Sequence, residues 1–117
     1  MLITICKSKI HRATVTDTNI NYEGSITIDK RLMEAADIHE YEQVQVVNVT
    51  NGERFTTYVM KGEKKGAMVL NGAAARLAVP GDKIIVITYA QLKNKEVGEY
   101  KPRIVLVDEA NEIIKKD

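Results

Sequence analysis

Apolar and polar residues alternate along most of the chain, which is typical of β-strands with one buried face. Alternating β-branched residues at 2–6 and 11–16 predict one early strand, bent near residues 7–9. The polar residues 17–21 predict a connection, and the sequence SITID at 25–29 predicts a short second strand. The first quarter of the chain is therefore predicted to be mainly extended.

A β-hairpin is predicted where two valine-rich or aromatic segments flank Asn51 and Gly52. This dipeptide favours a two-residue type I′ turn, because both residues tolerate positive φ. Residues 29–38 predict a helix that Asp29 caps, and Asn71 with Gly72 is expected to open one further helical turn.

The second half of the chain adds strand patterns separated by turns. Strands are predicted at 67–70, 83–90 and 102–107, with a polar loop at 91–101 and a charged tail at 108–117. About seven strands and one or two short helices follow. We expect a single domain over residues 1–117, mainly β, and a small barrel or sandwich. A barrel would hide the strand edges.

Composition limits the functions that this chain can have. Apolar residues make up 44% of it, which is enough for a folded core. The net charge of +1 gives no support for binding to nucleic acid or to an acidic membrane. The single cysteine, Cys6, cannot form an intrachain disulfide, and no signal peptide or long apolar segment is recognisable. We expect a cytoplasmic protein without membrane or nucleic-acid partners.

Common catalytic motifs are missing from the sequence. His11 and His39 lie in unrelated elements, so no metal site is expected, and no phosphate-binding glycine loop is present. A Ser25–His11–Asp triad is only weakly indicated, because almost any sequence supplies such residues.

The sequence NYEGSITID at 21–29 permits a different chemistry at Gly24 and Ser25. The Ser25 hydroxyl can attack the carbonyl carbon of Gly24 and convert the peptide into an ester. This step needs an unusual backbone conformation, which glycine allows, and donors for the oxyanion. Elimination and hydrolysis would then leave a pyruvoyl group at position 25. From Gly-Ser alone, a plain turn is the better interpretation.

Four segments taken together favour self-cleavage at Gly24-Ser25 over a plain turn. KIHRATVT at 9–16, YEGS at 22–25, NVTNGERFTTY at 48–58 and NGAAA at 71–75 occur in this order. From residue 1 to about 109 the chain resembles the bacterial aspartate 1-decarboxylase family, whose pyruvoyl-dependent enzymes make β-alanine for pantothenate. The charged tail carries no such resemblance.

The resemblance implies a fold and an assembly. It implies a six-stranded double-psi β-barrel with one or two short helices, in a homotetramer with active sites at subunit boundaries. It also implies self-cleavage between Gly24 and Ser25 into a β chain, 1–24, and an α chain, 25–117. The cofactor would be the pyruvoyl group from Ser25, with no metal and no pyridoxal phosphate.

The resemblance also assigns roles to individual residues. Ser25 would form the Schiff base with L-aspartate, Tyr58 would donate a proton, and Gly24, Ser25 and Thr57 would serve self-processing. Substrate would be bound by Thr57 and by Lys9, Arg54, Asn71, Gly72, Ala73 and Ala74. His11 and Tyr22 would lie near the site.

Two features depart from the family pattern, and one alternative stays open. Val47 stands where some members carry Trp, and the loop at 61–68 is slightly short.

The alternative is a non-enzymatic β-barrel binding module, such as a small dimeric DNA-binding barrel. The near-neutral charge and the absence of a basic stripe count against it.

Overall fold

The computed structural model describes residues Met1–Asp117 and is mainly β, which confirms the predicted fold class. Its strands are β1 (Leu2–Thr14), β2 (Asp17–Asn19), β3 (Ser25–Asp29), β4 (Gln43–Asn48), β5 (Arg54–Gly62), β6 (Met68–Asn71), β7 (Lys83–Lys93), β8 (Arg103–Val107) and β9 (Ile113–Lys116). The helices are α1 (Lys30–Ala35), a first 3₁₀ helix (Gly72–Leu77) and a second 3₁₀ helix (Asn94–Glu99). None of them has the length and apolar character needed to cross a membrane.

The nine strands follow one hydrogen-bonded order, β2-β6-β3-β5-β4-β7-β1-β8-β9. Three neighbouring pairs are parallel, namely β2 with β6, β3 with β5, and β1 with β8. The end strands β2 and β9 are not hydrogen-bonded to each other, so hydrogen bonds do not close the sheet. The order places β3 between β6 and β5, which determines the neighbours of Ser25.

The bend predicted in the first strand is present in β1. Its pairing with β7 shifts register between Cys6 and Ser8 and again between Ile10 and Ala13. Extra residues in one strand of a pair bend it and increase its twist. One long strand therefore pairs along its length with β7 and also, over residues 8–11, with β8.

Strand β3 separates the core from a polar face. Ile26 and Ile28 are fully buried in a cluster of 21 apolar residues. Ser25, Thr27 and Asp29 alternate with them and therefore lie on the opposite face. The apolar residues fix the register of β3, because a slip by one residue would bury the polar set in the core.

The hairpin between β4 and β5 forms, but its predicted type I′ turn is wrong. Only Gly52 has a positive φ, +81°, and Asn51 does not. The connection instead has five residues, 49–53, and the Asn48 side-chain oxygen accepts hydrogen bonds from the Thr50 and Asn51 N–H groups. These hydrogen bonds to the Asn48 side chain stabilise a loop conformation that the Asn-Gly dipeptide alone does not specify.

Three segments expected to be irregular contain short regular elements. The connection at 17–21 contains β2, which pairs with β6, and the charged tail contains β9, which pairs with β8. The polar loop at 91–101 continues β7 and then forms the second 3₁₀ helix. Strands β2 and β9 add backbone hydrogen bonds at the two ends of the sheet order.

Asp29 ends β3 and caps α1, as predicted. Its Oδ1 accepts from the Arg31 N–H at 2.9 Å, and its Oδ2 accepts from the Gly66 N–H at 2.7 Å. Burial by itself would raise the pKa of the Asp29 carboxyl, but these two donors and the Arg31 guanidinium outweigh burial and lower that pKa. The carboxylate therefore ties α1 to the loop before β6.

The variant Asp29→Asn should be less stable at neutral pH, by about 1–3 kcal/mol, because it removes charge-assisted hydrogen bonds from a buried site. The folded-state pKa of Asp29 lies below the ordinary value of 3.8, so the unfolded chain binds the proton more tightly. The carboxylate's contribution is complete above that value and is lost as the pH falls through the folded-state pKa. Urea unfolding across acid pH should show the difference between wild type and variant shrinking, and a difference constant with pH would contradict this account.

Candidate active site

Ser25 is the first residue of β3 and is fully buried. In the antiparallel pairing of β3 with β6 it lies opposite Asn71. The Asn71 side-chain amide donates to Ser25 Oγ at 2.9 Å and to Thr27 Oγ1 at 3.0 Å. The hydroxyl predicted to attack the chain is therefore held by a buried side chain 46 residues away in sequence.

Gly24 lies against the start of the first 3₁₀ helix. A Cβ built on Gly72 would be 2.8 Å from both the Cα and the N of Gly24 and 2.9 Å from the Tyr22 carbonyl oxygen. Gly72 also has a φ of +66°, whereas Gly24 does not have a positive φ. Beside this peptide bond, the positive φ is therefore found at Gly72 and not at Gly24.

Tyr58 is placed beside Ser25 by the parallel pairing of β3 and β5. Ile26 pairs with Val59, and both are fully buried. Ser25 and Tyr58 come one residue earlier on strands that lie about 4.8 Å apart, so their side chains leave the sheet on the same face. Tyr58 is 38% exposed, and its hydroxyl forms no hydrogen bond within the chain.

Arg54 begins β5 on the same face as Tyr58, four residues before it. It lies opposite Val47 of β4, it is exposed, and it forms no ion pair within the chain. The loop before it is tied to the end of the first 3₁₀ helix, because the Asn48 and Asn51 side chains both donate to the Leu77 carbonyl oxygen. The two segments NGERF and NGAAA are therefore held together.

Thr57 lies on the other face of β5 from Tyr58. Strand alternation puts it on the side of Phe55 and Val59, and it is half-buried. Its hydroxyl forms no hydrogen bond within the chain. The structure thus brings Thr57 to the same strand as Tyr58 but not to the same side.

Lys9 and His11 are not next to Ser25 in the strand order. Both lie on β1, which is separated from β3 by β7, β4 and β5. Lys9 pairs with Ile87 on one side, and His11 pairs with Leu106 on the other. Their side chains are half-buried and form neither hydrogen bonds nor ion pairs within the chain.

The remaining predicted residues lie around the junction between β6 and the first 3₁₀ helix. Asn71 occupies the cap position of that helix, but its side chain makes no capping bond, and its Nδ2 donates to Ser25 and Thr27 instead. Ala73 is exposed and Ala74 is buried. Tyr22 is half-exposed, and its carbonyl oxygen lies close to Gly72.

Comparison with known proteins identifies the family of this chain. A sequence model of the aspartate decarboxylase family matches residues 1–114. The chain belongs to the aspartate decarboxylase family. A relative named aspartate 1-decarboxylase from Caldicellulosiruptor bescii is 61% identical over 98% of this chain and 91% of its own length. Proteins of the same name from Campylobacter fetus subsp. fetus and Kosmotoga olearia are 58% and 65% identical over 97% and 94% of the chain, covering 98% and 95% of the relatives.

The aspartate decarboxylase match reaches further than the sequence motifs suggested. It extends to Ile114, so it includes part of the tail that was expected to carry no family resemblance. That part of the tail pairs with β8 through β9. The tail is therefore part of the family fold up to this strand.

Thr27 joins the hydrogen-bonded group around Ser25, and the sequence analysis did not name it. Its hydroxyl shares the Asn71 amide with Ser25. The available signal was the polar position two residues after Ser25 in SITID, because residues i and i+2 share a strand face.

The clefts of the chain do not coincide with these residues. The largest, about 780 Å³, lies between α1 and the last two strands and is lined by Arg31, Arg103 and Lys116 among others. A second cleft, of about 440 Å³, lies across β1, β4, β5 and β7 and includes Thr56 beside Gln45. Neither includes Ser25, and no group of three or more metal-binding side chains is present.

Proposed function

We propose that this chain cleaves itself between Gly24 and Ser25 and then decarboxylates L-aspartate to β-alanine. The printed name of its relatives, aspartate 1-decarboxylase, states the decarboxylation of aspartate for them. The observation that carries the proposal is the pair of contacts at the cleavage site. Consecutive residues hold the two sides of one peptide bond, since Asn71 binds Ser25 Oγ and Gly72 packs on Gly24.

The cleavage follows from chemistry that the chain itself supplies. Ser25 Oγ attacks the carbonyl carbon of Gly24, the C–N bond breaks, and the hydroxyl proton ends on the freed nitrogen. Loss of the Ser25 α-proton then breaks the bond between Cβ and Oγ and releases Gly24 as a carboxylate. Water replaces the nitrogen of the remaining dehydroalanine, ammonia leaves, and no oxidant or reductant is needed. The products are the chains 1–24 and 25–117, which we propose remain one domain.

A pyruvoyl group suits this position. Ser25 is fully buried beside polar side chains, so a ketone formed there would be shielded from water while keeping a hydrogen-bond donor, Asn71, close by. Such a group supplies an electron-withdrawing ketone that takes up an amine and accepts electrons as carbon dioxide leaves. The chain's own contribution is to orient the substrate, exclude water and deliver a proton.

Tyr58 is positioned to deliver that proton. Tyr58 lies beside Ser25 in the parallel pairing of β3 and β5, on the same face of the sheet. Its hydroxyl forms no hydrogen bond to any residue of the chain. A phenol can act as a general acid when it is held against the carbon that must be protonated.

Arg54 and Lys9 are the cations proposed to bind the carboxylates of aspartate. Arg54 and Lys9 form no ion pair within the chain, and a guanidinium binds a carboxylate in a bidentate way. Because Lys9 lies on a strand remote from β3 in the sheet order, we propose that a neighbouring copy in a homotetramer supplies it, along with His11. Tyr22 and the backbone of Asn71, Gly72, Ala73 and Ala74 would line the same pocket. The β-alanine formed would serve pantothenate synthesis in the cytoplasm.

Intact mass and activity measured on one preparation test this function. Purified protein should show two masses, for residues 1–24 and for 25–117 with a blocked, carbonyl-bearing first residue, and it should release carbon dioxide from L-aspartate. A single full-length mass with full activity would refute the pyruvoyl route. Two fragments without activity on aspartate would leave the cleavage intact and refute the substrate.

A further inference from the structure

Gly72 is the most tightly enclosed position beside the cleavage site. An added Cβ would lie 2.8 Å from two backbone atoms of Gly24 and 2.9 Å from the backbone oxygen of Tyr22. Ordinary carbon contacts begin near 3.5 Å, and backbone atoms cannot rotate away as the end of a side chain can. Any side chain at 72 must therefore push the segment 22–24 outward by about half an ångström or more.

Gly24 itself has no comparable constraint. Nothing lies within 4 Å of a Cβ built on it, and its φ is not in the left-handed region. Within the folded chain, the fit between the cleavage segment and its surroundings depends on the residue at 72 and not on the residue at 24.

We propose that Gly72 is a positioning residue for self-cleavage, an inference that rests on the cleavage proposed above. By lacking a side chain it lets the Gly24 backbone approach the first 3₁₀ helix, while its neighbour Asn71 holds Ser25 Oγ. The Oγ must form a bond to the Gly24 carbonyl carbon as the bond from that carbon to the Ser25 nitrogen breaks. The distance between these atoms is sensitive to displacement, because a misplacement of about 1 Å can slow such a step about 100-fold.

The chain offers two matched controls for a Gly72→Ala variant. Gly66 also has a positive φ, +78°, and its added Cβ would meet the Ala110 carbonyl oxygen at 2.8 Å, away from the cleavage site. Gly81 has a φ of +98° but open space around its Cβ. Gly66→Ala therefore reproduces both the strain and the backbone clash, and Gly81→Ala reproduces the strain alone.

The experiment follows the conversion of full-length protein into two fragments over time by intact mass, with the midpoint of thermal unfolding recorded for each precursor. We expect Gly66→Ala and Gly81→Ala to unfold at lower temperature than wild type and to cleave at its rate. Gly72→Ala should fold and cleave about 100-fold more slowly. Gly72→Asn should also cleave slowly, because asparagine tolerates the left-handed conformation but still carries the Cβ.

Each other outcome bears on the inference. A folded Gly72→Ala that cleaves at the wild-type rate would overturn it. Normal cleavage of Gly72→Asn alone would also overturn it, since backbone φ and not the close approach would then be decisive. Failure of both variants to fold, while Gly66→Ala folds, would show that position 72 governs folding and not cleavage. If wild-type protein does not cleave, the proposed function itself fails.

Discussion

Ser25→Ala should yield a folded protein that remains one uncut chain and releases no carbon dioxide from L-aspartate above background. The variant lacks the oxygen that attacks Gly24, so neither the ester nor the carbonyl group can form. Stability should fall only modestly, by about 1 kcal/mol, because the Asn71 amide keeps its hydrogen bond to Thr27. Intact mass, reaction with a hydrazide reagent and carbon dioxide release measure the three expected losses.

Ser8→Ala is the matched control for this variant. Ser8 is also fully buried, and its hydroxyl forms a 2.6 Å hydrogen bond with that of Thr88. The same atoms are removed from a strand that is not adjacent to β3, so cleavage and activity should persist despite some loss of stability. Fragmentation of Ser25→Ala, or full activity of its uncut chain, would remove the basis of the proposed mechanism.

Local patterns were sufficient where a segment's structure depends on its own residues. The SITID alternation predicted β3, and the carboxylate of Asp29 caps α1 through a contact only two residues away. The bend in β1 was also predicted from sequence, and the structure places two register shifts there. In each case, neighbours within a few residues carry the information.

Predictions failed where residues far away in the sequence determine the local structure. The Asn-Gly dipeptide favours a tight turn, but Asn48 is fully buried and bonded to Leu77 and Asp82, and it reorganises the loop. Strands β2 and β9 are short, with only three and four residues, and they form because β6 and β8 offer unpaired edges. In such segments the intrinsic preference of the residues for a strand matters less than the stabilisation gained from pairing with a neighbouring strand.

The candidate site shows the same division. Period-2 alternation places Ser25 and Thr27 on one face, but nothing in the local sequence reveals that Asn71 reaches both. The resemblance to a family named Asn71 and Gly72 as residues that bind substrate. The strand pairing adds that they contact the two residues flanking the cleaved bond. The family resemblance also named Lys9 and His11 on β1. Only the fold shows that β1 is separated from β3 in the sheet order.

Tyr58→Phe should leave self-cleavage unchanged and lower the rate of β-alanine formation about 100-fold or more. The hydroxyl is proposed to act only after carbon dioxide has left, and a positioned general acid contributes about 10²–10⁴-fold. KM for aspartate should change little, because Arg54 and Lys9, and not the phenol, are proposed to hold the carboxylates. Single-turnover measurements of carbon dioxide release and of β-alanine formation on cleaved protein distinguish these steps.

Tyr89→Phe controls for the loss of a strand tyrosine hydroxyl. Tyr89 is 43% exposed, similar to Tyr58, and its hydroxyl donates to Gln45 on a different pair of strands. Its removal should leave both rates near those of wild type. If Tyr58→Phe instead raises KM with kcat unchanged, the phenol binds substrate and another group delivers the proton. If Tyr58→Phe blocks cleavage, the hydroxyl acts before the ketone exists, and its position beside Ser25 serves the chain's own peptide bond.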